Sequence, residues 1–99
     1  MRTMKPSLVL ETQREAIRRI VADHRTCNPR VFGSVARGED TEHSDLDLLV
    51  DPTPETTLLD IGAIRHELLV LLGVPVDVLT PKALPEKFRA AVILEARPV

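Results

Sequence analysis

The sequence predicts a small α/β fold, a mixed sheet with helices packed on one face. Three observations predict it. Two long stretches carry apolar residues at helical spacing, short β-type runs separate them, and residues 45–51 alternate with a period of two. Strands that alternate with helices build a sheet with helices laid against it. A chain of 99 residues has the length of one domain, residues 1–99, and little to spare for a second lobe.

The first helix is expected over about Leu8–Arg25, where Leu10, Ile17, Ile20, Val21 and His24 form one stripe. Either Ser7 caps it, or Thr12 with Glu15 forms a capping box. Asn28-Pro29 ends it, because the residue before proline is pushed out of the α region. Arg30-Val31-Phe32 reads as a short strand that stops at Gly33, and Ser34–Arg37 as one helical turn with Ser34 as its N-cap. Gly38–Ser44 is a polar loop. In the second strand, Asp45 to Asp51, Leu46, Leu48 and Val50 face one side. Asp45, Asp47, Leu49 and Asp51 face the other.

Thr53-Pro54-Glu55 has the form of a helix start, with a capping residue, proline at the first position and an acid in the first turn. That helix runs to Leu72 and stops at Gly73. Its core stripe is Leu58, Ile61, Ile64, Leu68, Leu71 and Leu72, with Leu59, Leu69 and Val70 left over on other faces. A helix apolar nearly all round is buried on more than one side, and in a short chain the second side can be another protein. Pro75 cannot sit in a central ladder, so the third strand is Val76–Thr80. A last helix follows Pro85, with Phe88, Ala91, Val92 and Glu95 on one stripe.

Composition removes several function classes. Net charge is −2, too acidic for the clustered Lys and Arg that neutralise a nucleic-acid backbone. With Phe32 and Phe88 as the only aromatics, no base-stacking platform is expected, so direct nucleic-acid binding is not. Cys27 is the single cysteine, which fits a reducing cytoplasm. Arg2 and Lys5 precede no long apolar stretch, so neither a signal peptide nor a membrane span is expected.

The chemistry concentrates at one spacing: Gly33-Ser34, ten residues, then Asp45-Leu46-Asp47. Residues two apart on a strand project side by side, with Cα atoms roughly 6–7 Å apart. Two such carboxylates repel and call for a counter-cation, most naturally Mg²⁺, which prefers oxygen ligands and keeps room for water and phosphate. Asp77, inside the apolar run Val74–Leu79, is out of place for a core strand, and a neighbouring strand would bring it to the same face. Gly33 lets a phosphate approach the main chain, while Ser34 adds a donor. Arg37 is a candidate contact for the triphosphate or for the loop. Asp77 is the simplest base towards an acceptor hydroxyl. Together these parts spell phosphoryl or nucleotidyl transfer from a nucleoside triphosphate. Glu39, Asp40 and Glu42 read as a solvated loop, His43 as a chance neighbour of the motif, and His24 and His66 as structural or surface residues.

The run Gly33-Ser34-Val35-Ala36-Arg37-Gly38, followed by Ser44-Asp45-Leu46-Asp47-Leu48-Leu49-Val50, resembles the minimal nucleotidyltransferase family of the DNA polymerase beta-like superfamily. The likeness covers most of the chain, and the family's catalytic positions fall on Gly33, Ser34, Asp45, Asp47 and Asp77. It implies a nucleotidyltransferase fold, Mg²⁺, and ATP as substrate. It also implies an antitoxin that pairs with a HEPN-type ribonuclease toxin in a hetero-oligomer and transfers AMP to one of its tyrosines. Neutralisation by binding alone is the alternative. A small-molecule nucleotidyltransferase is another, weakened because this chain is too short for the helical acceptor domain those enzymes carry.

Overall fold

In the computed structural model, which describes residues 4–99, four strands form one sheet in the order β3-β2-β1-β4. Chain order is α1 (Pro6–Asp23), β1 (Thr26–Phe32), α2 (Gly33–Arg37), β2 (Leu46–Pro52), α3 (Leu58–Leu72), β3 (Val76–Leu79), a 3₁₀ turn (Pro81–Ala83), α4 (Glu86–Glu95) and β4 (Arg97–Pro98). Arg2 lies outside the described residues. The sheet is mixed: β1 pairs antiparallel with β2 and β4, and β2 pairs parallel with β3. Parallel neighbours need a crossover, and α3 supplies it.

The core forms between one sheet face and the two long helices. Leu46, Leu48 and Val50 of β2 and Val76 and Val78 of β3 meet Leu10, Ile17 and Val21 of α1 and Ile64, Leu68 and Leu72 of α3. Their burial follows the period-2 and helical patterns of the sequence. Helices on one face holds for α1 and α3. The short α4 departs from it: Val92 and Ala96 pack with Phe32, Leu49 and Leu84 on the opposite face.

Several boundaries differ from expectation. The first helix ends at Asp23 rather than near Arg25, and β1 begins at Thr26 instead of Arg30. A left-handed residue at Asn28 (φ 54°) and a register shift between Cys27 and Arg30 let the strand run through Pro29. Neither Ser7 nor Thr12 caps α1: the Ser7 N–H is received by Asp40, while the Thr12 hydroxyl donates to the Val9 carbonyl. The next helix starts at Leu58, not at Thr53-Pro54-Glu55. Thr57 and Asp60 close a capping box, and the Thr53 and Thr56 hydroxyls instead donate to the Arg25 carbonyl. Gly73 ends that helix as expected, in the left-handed conformation (φ 68°). Leu58 and Leu71 fall outside the core at 89% and 40% exposure, so the buried stripe narrows to Ile64, Leu68 and Leu72. Among the described residues no helix is long and apolar enough to cross a membrane.

Candidate active site

The site begins with strand register. In the parallel pair, Leu46 opposes Val76, Asp47 opposes Asp77 and Leu48 opposes Val78. Directly opposed residues share a face, so the same alternation that sinks the leucines and valines into the core puts Asp47 and Asp77 side by side on the other face. Neighbouring strands lie about 4.8 Å apart. On the far side of β2, Asp47 opposes Phe32, and Gly33 follows directly. A Cβ at Gly33 would lie 2.3 Å from Asp47 Oδ2, and Gly33 sits at φ +70°, so only glycine fits between this turn and the carboxylate. Asp45 stands exposed just before β2, where the Leu46 N–H donates to the Pro75 carbonyl and ties the two strand starts together.

Charge concentrates on Asp47. Burial first, then the neighbouring charges of Asp77 and Asp45, push its carboxyl up from 3.8 to about 6, and Arg37 opposes the rise. Among the described residues no three His, Cys, Asp or Glu side chains already converge on a common metal position. The donor chemistry nonetheless fits a hard divalent cation: Asp47 and Asp77 stand in register on one sheet face, Asp45 lies just before β2, and the charges of the other two both act on Asp47, with oxygen ligands only.

Beside the acids, α2 turns the chain away from the sheet. It begins at Gly33 with Phe32 as N-cap, so Ser34 sits inside the turn and does not cap it. Gly38 closes it at φ 71°. Arg37 projects from this turn between two acids: its Nε donates to Glu39 Oε1 at 2.7 Å and its Nη1 to Glu95 Oε1 at 2.9 Å. The other oxygen of Glu95 accepts the Gly33 N–H at 2.9 Å. Those bonds, the Gly33 N–H foremost, hold the Glu95 carboxyl below the usual carboxylate range.

A glycine-linked turn, a guanidinium and in-register carboxylates thus meet on one side of the sheet. The nucleotidyltransferase domain model matches residues 11–99. The chain belongs to the nucleotidyltransferase domain family. It is 36% identical over 77 residues to a Methanocaldococcus jannaschii protein provisionally named a protein adenylyltransferase, covering 78% of this chain and 83% of that one. The protein adenylyltransferase MntA of Thermococcus cleftensis is 38% identical over 65 residues, 66% of either chain. Among solved structures, one provisionally described as a minimal nucleotidyltransferase superposes with TM-score 0.84 at 44% identity, covering 94% of this chain and 95% of that one. A chain from a crystal structure of a toxin-antitoxin with AMP-PNP shares the fold at TM-score 0.72 and 17% identity, over 85% of this chain and 69% of that one.

In this nucleotidyltransferase the sheet brings together Asp47, Asp77 and the Gly33 turn, with Asp45 and Arg37 within electrostatic reach of Asp47. Ser34 is partly exposed on the same turn. Glu95 is the member that sequence reasoning missed. The expected stripe of the last helix did not mark it, because Phe88 (52% exposed) and Ala91 of that stripe face solvent and only Val92 and Glu95 turn towards the sheet side. Asp40 also departs from expectation: it is buried, 6% exposed, and accepts the Ser7 N–H at 2.9 Å, which anchors the first turn of α1. His43 is exposed, and His24 pairs with Glu67 between α1 and α3.

Proposed function

We propose that this nucleotidyltransferase is a cytoplasmic antitoxin that silences a HEPN-type ribonuclease by transferring AMP from ATP, with Mg²⁺, to a tyrosine hydroxyl of that partner. The single observation that carries the chemistry is the in-register pair Asp47 and Asp77 facing the Gly33 turn. A protein acceptor has its support in the names of the relatives at 36% and 38% identity.

In this reading Asp45, Asp47 and Asp77 hold the cation, which when bound neutralises phosphate charge and relieves the repulsion among the acids. Gly33 leaves room for a phosphate against the main chain, and Ser34 and Arg37 supply donors to it. The acceptor oxygen bonds to the α-phosphorus, the bond from that phosphorus to the bridging oxygen breaks, and pyrophosphate leaves with the electron pair. The acceptor's proton passes to Asp77.

Neutralisation by binding alone is the second reading. What favours it is an exposed apolar surface on α3, where Leu58, Leu59 and Val70 are 89%, 85% and 71% exposed. The test is toxin activity in the presence of the chain, with ATP and Mg²⁺, for wild type, Asp45→Ala and Asp47→Ala. Loss of neutralisation in both variants supports catalysis. Neutralisation that survives both overturns it in favour of binding.

A further inference from the structure

We infer that Glu95 competes with the phosphates of ATP for the Gly33 N–H and the Arg37 guanidinium, and so sets how tightly this domain holds nucleotide. The inference rests on the functional reading above, which assigns those two donors to the triphosphate. Glu95 closes α4, yet its carboxylate spans the turn after β1, with Oε2 on the Gly33 N–H and Oε1 on Arg37 Nη1, each at 2.9 Å. A planar carboxylate bridging a main-chain N–H and a guanidinium engages them as two phosphate oxygens would. The bound carboxylate is direct evidence that this pair of donors takes an oxyanion. A backbone N–H carries one proton and serves one good acceptor, so Glu95 and a phosphate oxygen cannot both hold it.

The contact is also removable without dismantling the fold. The Glu95 side chain is 25% exposed and can swing into solvent by a rotamer change. Arg37 would keep Glu39 at 2.7 Å and not be stranded. Helix α4 would stay anchored through Val92 and Ala96 on Phe32, Leu49 and Leu84, and the chain beyond it through the Val99 N–H on the Pro29 carbonyl at 3.0 Å. Departure of Glu95 also removes one negative charge from a face that already holds Asp45, Asp47 and Asp77 and must accept a triphosphate.

The test is calorimetric titration of ATP with Mg²⁺ into wild type, Glu95→Gln and Glu39→Gln. Loss of one charge-assisted competitor is expected to tighten ATP binding about five- to tenfold in Glu95→Gln. Glu39→Gln, which leaves the Gly33 N–H occupied, should tighten it less. Equal or weaker binding by Glu95→Gln overturns the inference and makes the contact structural. A second measurement uses the unaltered chain: the carboxyl carbon resonance of Glu95 should move to the position of a free carboxylate on saturation with ATP. A resonance that stays fixed while ATP binds also overturns it. Absence of ATP binding by wild type would instead defeat the functional reading, and the inference with it.

Discussion

Replacing Asp47 with Asn isolates the electrostatics of the sheet face, because the two side chains share a shape and differ in charge. In the folded chain the Asp47 carboxyl is lifted from 3.8 to about 6. At about 1.36 kcal/mol per pKa unit the gap corresponds to about 3 kcal/mol between its protonation states. Asp47 is partly exposed, and solvent screening cuts this to about 1–2 kcal/mol. The sign follows from linkage: a carboxyl that binds its proton more tightly when folded stabilises the fold below about pH 4 relative to higher pH. That advantage is lost as pH rises through about 6. Asn carries no charge at any of these values. Without divalent metal, Asp47→Asn is therefore expected to match wild type near pH 4 and to exceed it above pH 7 by about 1–2 kcal/mol, or roughly 4–16 °C in Tm. Thermal unfolding in chelator across this pH range measures it. A variant equal to or less stable than wild type above pH 7 refutes the reasoning.

Two glycines separate close approach from backbone strain. Gly33→Ala puts a Cβ 2.3 Å from Asp47 Oδ2 and is expected to displace that carboxylate, lowering nucleotide transfer by about 100-fold. Gly38→Ala meets nothing within 4 Å although φ is +71°, so it should lose about 1 kcal/mol of stability and retain transfer. Parallel transfer and unfolding assays distinguish the pair, and equal transfer by the two variants contradicts the geometry. Asp40→Ala removes the acceptor of the Ser7 N–H and should cost about 1 kcal/mol, seen as a fall of roughly 4–8 °C in Tm.

The candidate site was legible wherever it obeys the period of a strand. Leu46, Leu48 and Val50 had to face the core, so Asp47 had to face away, and the Val76-Asp77-Val78 alternation did the same one strand over. What stayed hidden depends on contacts distant in sequence. Glu95 reaches Gly33 across 62 residues, and Asp40 reaches Ser7 across 33. No local pattern reports either contact. Thr53-Pro54-Glu55 carries real helix-start chemistry, but Thr57 with Asp60 forms the stronger box four residues later, and the Arg25 carbonyl claims the Thr53 hydroxyl. The two-residue β4 is too short for any periodicity to reveal. The departure of α4 from the helix layer follows from Phe32 and Leu49, apolar residues on the otherwise polar face that needed covering.

Transfer of AMP to a protein acceptor is the central claim, and the position of the label in ATP tests it most directly. The chain is incubated with Mg²⁺, the candidate toxin partner and ATP labelled at either the α- or the γ-phosphate. The account predicts that the partner acquires label from α-labelled ATP only, and that Asp47→Asn and Asp77→Asn abolish it. Label arriving from the γ-phosphate, or α-label transfer that persists in both variants, would contradict it.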